Sequence, residues 1–255
     1  MLSAPAAASL GVEVVPIAVT LDGETFHELT SSLDWFYERL RAGVTATTSQ
    51  PSPADFAAAY ERIASRGGRT VVSVHLDARV SGTVSSAEAG ARAAPVPVTV
   101  VDTRAVSFGV GRCVRAAAEV VAAGGSAGDA ARAAARLGGK MRNAFVARGG
   151  PGGRVPAEAS WTVLRYEDGA AARMWQCASA AEAAERIAAH VVDREDQVAT
   201  AVGHAGGGVT AAADRLARRL DASDRVLEVE RYRVGASVGA HTGPDSFGAF
   251  WWPAE

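Results

Sequence analysis

At 255 residues and a formal net charge of −2, the chain is long enough for one large domain or two small ones, and it lacks the concentrated basic face that a nucleic-acid surface requires. Its two cysteines, Cys113 and Cys177, have no CxxC spacing, which excludes a disulfide framework and leaves packed thiols. No apolar run reaches the roughly 18 residues of a membrane span, and residues 1–10 lack the basic start and sustained apolar core of a secretory signal, so a cytoplasmic location is expected.

Residues 12–21 are strongly β-prone and predict a strand, with Asp22-Gly23 as a hairpin-type turn into a second strand over 24–28. Ser31-x-x-Asp34 predicts the start of an amphipathic helix that runs to Leu40 and stops at Gly43. Next comes Ala46-Thr47-Thr48-Ser49-Gln50-Pro51-Ser52-Pro53, which reads as a hydroxyl-rich loop running into a helix over 53–66. Ser52 suits the N-cap, Pro53 the first helical position, and Asp55 completes an S-x-x-D start signal. Thr48 and Ser49 are then expected beside a helix N-terminus, where hydroxyls next to unpaired backbone N–H groups suit an anion or a carboxylate. The alternative is that these hydroxyls only cap and turn the chain.

The apolar run 70–76 reads as a buried strand, Val80-Ser81-Gly82-Thr83 as a second polar loop, 85–94 as a helix and 98–101 as a strand. Segments 106–123 and 126–137 read as helices parted by Gly124-Gly125, followed by an apolar strand over 144–147. Arg148-Gly149-Gly150-Pro151-Gly152-Gly153-Arg154 is the best linker candidate, which sets expected domains of 1–147 and 148–255. Beyond it, 161–166 and 172–176 around Asp168-Gly169 read as a hairpin. A helix over 180–192, a strand over 198–203, a helix over 209–220 and a strand over 226–234 follow. The alternation predicts an α/β fold: βα units around a mainly parallel sheet, in two α/β domains with a ligand cleft between them. Gly239-Ala240-His241-Thr242-Gly243-Pro244 reads as a third polar loop.

Catalytic and cofactor patterns stay incomplete. Gly235-Ala236-Ser237-Val238-Gly239 matches G-x-S-x-G after a predicted strand, the setting of a nucleophile elbow. No histidine follows Asp245, and His241 lies only four residues from Ser237, so a serine hydrolase using Ser237 is a remote alternative. Gly203-His204-Ala205-Gly206-Gly207-Gly208 lacks G-x-G-x-x-G spacing and a Walker lysine, and reads as a βα turn. His27, His75, His190, His204 and His241 show no i, i+4 pair and no H-E-x-x-H, so no metal centre is expected. The cluster Phe247, Phe250, Trp251, Trp252 reads as a packed terminal strand. The expectation is a non-enzymatic protein without a cofactor.

Thr48-Ser49-Gln50-Pro51-Ser52-Pro53, Ser81-Gly82-Thr83, Asp102-Thr103-Arg104-Ala105-Val106-Ser107 and His241-Thr242-Gly243-Pro244 occur in that order. Together, over most of the chain from Gly11, they resemble the DegV family of bacterial fatty-acid-binding proteins, the acyl carriers for a fatty acid kinase. The resemblance implies a long-chain fatty acid between two domains, with its carboxylate held by Thr48, Ser81 and His241. Ser49, Gly82 and Thr242 in the same motifs are taken as neighbouring ligand-binding residues, and a fatty acid kinase is the implied partner. Burying about fifteen methylenes is worth ~12 kcal/mol gross, of which ordering the ligand takes back a large part. A buried carboxylate costs several kcal/mol unless hydrogen-bonded, and hydroxyls with backbone N–H groups at helix starts would offset that.

The chain departs from the family pattern in three places. Residues 1–10 stand where a first strand and a D-S-[TS] loop are expected, the stretch between Phe145 and Tyr166 is shorter than the family norm, and Cys177-Ala178-Ser179 stands in place of V-R-T. The first two departures support a second reading, a degenerate relative that binds a smaller ligand or a protein.

Overall fold

The computed structural model of the chain describes residues 4–27, 32–148, 160–193 and 196–254. It divides into two compact units, Met1–Ala18 with Ser49–Lys140 and Val19–Thr48 with Met141–Glu255. This differs from the division expected at residue 148, because Val19–Thr48 and the strand before residue 148 belong with the second unit. The reason is packing: Val19, Leu21 and Ala46 share one apolar cluster with Val234, Ala236 and Ala240, far along the chain. The expected linker falls from Gly149 onward outside the described residues.

In the first unit, α1 (Ala4–Ser9) is followed by chain that does not pair. Of the strand expected over 12–21, only Ala18–Leu21 forms one (β1). Pro16 has no N–H to offer a ladder, and Glu13 is instead ion-paired with Arg62 and Arg66. Strands β4 (Val71–His75) and β5 (Val98–Asp102) pair in parallel. The helix α4 (Thr83–Ala91) forms the crossover between them. Helix α3 (Pro53–Ser65) opens on the predicted capping box: Asp55 N–H donates to Ser52 Oγ at 3.2 Å, and Ser52 N–H donates to Asp55 Oδ2 at 2.8 Å. Its apolar face buries Phe56 and Tyr60 against Val71 and Ala87. Helices α5 (Phe108–Ala122) and α6 (Ala127–Lys140) complete the unit.

The second unit holds a three-stranded sheet of β2 (Glu24–His27), β1 and β3 (Ala46–Ser49), with α2 (Leu33–Arg41). The N-cap of α2 is Ser32, whose hydroxyl accepts from Trp35 N–H; Ser31, the expected start, lies outside the described residues. A six-stranded sheet runs β10 (Val226–Arg233), β9 (Val198–His204), β11 (Phe247–Pro253), β6 (Arg142–Val146), β7 (Trp161–Glu167), β8 (Ala170–Cys177).

Parallel pairing is rarer here than the alternation predicts. Only β9–β10 is parallel in this sheet, whereas β9–β11, β11–β6, β6–β7 and β7–β8 are antiparallel. The β7–β8 pair follows from its turn, in which Asp168 (φ 51°) and Gly169 (φ 84°) both take the left-handed conformation of a two-residue hairpin. Strand β11 takes a central place, and its near-continuous apolar run, Phe247 to Trp252, is buried on both faces. Helices α7 (Ala180–Val192) and α8 (Thr210–Asp221) cover the sheet through Ile187, Val191, Leu216 and Leu220. No described helix is long and apolar enough to cross a membrane.

Candidate functional site

Within the second unit, Thr48 and His241 meet across 193 positions of sequence: Thr48 Oγ1 lies 3.0 Å from His241 Nε2. Both depart from the expected loops. Thr48 and Ser49 end strand β3, where period-2 alternation sends Ala46 into the core and leaves Thr48 half-buried and Ser49 exposed. His241 and Thr242 form the last turn of a short helix, α9 (Ala236–Thr242), closed by Gly243 at φ 81°. The spacing of Ala236 and Ala240 puts both on the buried side of α9, leaving His241 exposed beside them.

Tyr37 sets the seat of α9. Its hydroxyl donates to Val234 C=O at 2.7 Å, and a Cβ on Gly239 would come within 2.5 Å of that hydroxyl. The small residues of Gly235-Ala236-Ser237-Val238-Gly239 therefore serve helix seating. Ser237 carries no positive φ, so the strained backbone of a nucleophile elbow is absent there. Thr242 Oγ1 donates to Val238 C=O at 3.2 Å and lies 2.9 Å from Ser246 Oγ, which in turn donates to Gly243 C=O. Its hydroxyl thus closes the turn after α9.

In the first unit, the loop from Asp77 to Gly82 carries the second motif. Asp77 is fully buried, its carboxylate accepts from Arg79 N–H, Nε and Nη2, and Val80 N–H donates to Asp77 C=O. This fork closes the loop two residues before Ser81. Thr83 N–H donates to the half-buried Ser81 Oγ at 3.3 Å. Gly82 is the N-cap of α4, with no side-chain cap and no acidic residue in the first turn. The Gln50 carboxamide lies against Gly82, where a Cβ would collide with it, and Gln50 Nε2 donates to Ser86 Oγ at 3.1 Å. Gln50 therefore packs against the start of α4. Sequence reasoning passed over Gln50, although its place inside the motif was a signal, and it passed over the Asp77-x-Arg79 fork as well.

Beneath that loop, Tyr60 OH lies 2.9 Å from Ser73 Oγ, and Ser73 Oγ lies 2.7 Å from His75 Nε2. Burial pushes the His75 imidazole down to about 4, against the opposing pull of Asp102. His75 is thus a neutral, hydrogen-bonded core residue. Burial likewise pushes the Cys113 thiol up to about 12 and raises Cys177, which fits inert packed thiols.

The chain from β5 to α5 holds a further feature. Ser107 sits at φ 54°, ψ −130°, directly before α5 and without a side-chain capping bond. The junction between β5 and α5 thus contains a strained non-glycine residue.

The glycine stretch after β9 is a βα turn, as expected. Gly206 N–H donates to Pro244 C=O at 2.8 Å, and Asp245, held by Arg41 at 2.9 Å and Arg148 at 3.2 Å, supplies a carboxylate beside it. Burial, and secondarily Arg233, lower the His204 imidazole. Among the described residues no group of His, Cys, Asp or Glu side chains gathers that could hold a metal ion.

The DegV family profile, described as "Uncharacterised protein, DegV family", matches residues 1–148. The chain belongs to the DegV family. A DegV domain-containing protein of Streptomyces coelicolor is 36% identical over 255 residues, spanning 93% of this chain and 90% of its own length. Among solved structures, the chain is similar to a DegV family protein of Thermus thermophilus described by its fatty acid binding. The TM-score is 0.84 at 29% identity, covering 97% of this chain and 94% of that one. It also shares its fold with a DegV lipid binding protein of Thermotoga maritima, with TM-score 0.87 at 21% identity over 99% of this chain and 95% of that one.

Proposed function

We propose that this DegV protein binds a long-chain fatty acid, holds its carboxylate with Thr48, Ser81 and His241, and presents it to a fatty acid kinase. The observation that carries the reading is the Thr48–His241 pair at 3.0 Å, formed by two motif residues from opposite ends of the sequence. It is supported by the 29% identity to the Thermus thermophilus protein described as fatty acid binding. A threonine hydroxyl has one proton to donate and two lone pairs. If His241 Nε2 donates to Thr48, the hydroxyl proton is free to point at a ligand oxygen. Ser81, whose Oγ accepts from Thr83 N–H at the start of α4, keeps its own hydroxyl proton to donate beside a helix N-terminus.

Mild purification followed by lipid extraction and gas chromatography is the test. The reading predicts near-stoichiometric long-chain fatty acid in the protein. A protein that carries none, and that gains no heat signal on titration with palmitate, would overturn it.

A further inference from the structure

Asp245 is gripped twice: its carboxylate accepts from Arg41 Nη2 at 2.9 Å and from Arg148 Nη1 at 3.2 Å. Glu13 and Glu185 also take two arginines each, but both partners come from one helix or its cap, Arg62 and Arg66 from α3 and Arg215 and Arg219 from α8. Asp245 instead joins separate elements. Arg41 is the last residue of α2, from which the chain turns into β3 and Thr48. Asp245 stands just past the Gly243 that closes α9, the helix whose last turn carries His241. The Arg41–Asp245 pair and the Thr48–His241 contact therefore tie the same two segments at two points.

The surroundings hold this pair in place. A Cβ at Gly208 would come within 2.8 Å of Arg41 Nη2 and one at Gly206 within 3.1 Å, so a side chain at either position would displace the guanidinium. Arg148, in turn, lies 4.3 Å over the Trp161 ring. The Asp245 and Arg148 side chains are 21% and 18% exposed, so salt screens this carboxylate less than one at the open surface. Tyr37 ties α2 to the start of α9 through Val234 C=O, and Arg41 ties the end of α2 to the turn after α9. A helix as short as α9 takes its place from such anchors rather than from its own stability, and His241 is nearer the second anchor. We infer that Asp245 is a positioning residue that fixes the Thr48–His241 geometry through Arg41 and thereby sets the affinity for a ligand carboxylate. The affinity half rests on the fatty-acid reading; the geometric half does not.

The test compares wild type, Asp245→Asn, Arg41→Gln and Asp245→Glu. Calorimetry reads palmitate affinity, and NMR of the ligand-free proteins at one alkaline pH reads the His241 ring signals, assigned with His241→Gln. Asp245→Asn and Arg41→Gln are expected to weaken palmitate about 5-fold and to move the His241 signals in the same direction. The two variants change the charge in opposite senses, so a common direction reports the lost geometry and opposite directions report only a field, which overturns the inference. Asp245→Glu, which keeps the carboxylate, should return both readouts toward wild type. If Asp245→Asn and Arg41→Gln melt lower yet keep wild-type His241 signals and palmitate affinity, the ion pair is a staple only, and the inference fails while the fatty-acid reading stands. If wild type binds no palmitate, the fatty-acid reading fails and the His241 signals alone decide the positioning. Should Asp245→Asn not fold, Arg41→Gln against wild type decides by the same two readouts.

Discussion

The two hydroxyl sites are built in opposite ways. Ser81 sits in a loop organised by near neighbours: Asp77 grips Arg79 two residues on, and Thr83 N–H reaches back to Ser81. Thr48 depends on long-range placement, because its partner His241 is positioned by the seating of α9 on Tyr37 through Gly239, Ala236 and Ala240. A locally made site tolerates changes elsewhere in the fold. One assembled from the two ends of a sequence fails when its packing fails, even if both functional side chains are intact.

That difference can be broken first by pH. His75, below the Ser81 loop, has a folded value of about 4 against an ordinary 6.5. Between these values the unfolded chain binds a proton that the folded chain does not, so the stability contributed is present above pH 6.5 and lost as pH falls toward 4. The loss amounts to at most about 3 kcal/mol. Denaturant melts of wild type and His75→Gln across this range should show the steeper fall in wild type. Parallel slopes would contradict the assignment.

A second break is steric and aimed at the other site. Gly239→Ala forces a Cβ against the Tyr37 ring and hydroxyl, at a cost of about 1–3 kcal/mol. The melting temperature should drop, and fatty-acid affinity should fall with it although Thr48 and His241 are unchanged. Unaltered affinity in a destabilised Gly239→Ala would mean that α9 does not place His241 for binding.

The smallest effect has the opposite sign. Ser107 holds a conformation that glycine adopts freely, so Ser107→Gly should stabilise the protein by about 1 kcal/mol net of the glycine's extra chain entropy. Thermal melts read the sign directly, and a lower melting temperature would show that the Ser107 side chain offsets its own backbone strain.

These contrasts also mark what the sequence made legible. Local chemistry carried through: the Ser52–Asp55 capping box and the Asp168-Gly169 turn appear where residue type alone puts them, because cap and turn preferences act over three or four residues. Long-range pairing did not. Nothing in Phe247 to Trp252 says that it inserts between β9 and β6, or that it runs antiparallel to both, since those partners lie far away in the chain. The same limit hid the membership of Val19–Thr48 in the second unit. Helix α9 reads as a loop in the sequence because its glycines and small residues, which permit close approach to Tyr37, are also the composition of a turn. The motif residues themselves were readable, but the packing of Gln50 against α4 and the double ion pair of Asp245 required coordinates.

Under the proposed function Thr48 and Ser81 serve one ligand carboxylate, and a double-mutant cycle tests that proposal most directly. Palmitate affinity is measured by calorimetry for wild type, Thr48→Ala, Ser81→Ala and the double variant. Each single change should weaken binding roughly 5- to 150-fold, from about 1–3 kcal/mol per lost hydrogen bond. The double variant should fall short of the product of the two, because both hydroxyls act on the same group. Strictly multiplicative losses, or wild-type affinity in either single variant, would contradict a shared carboxylate.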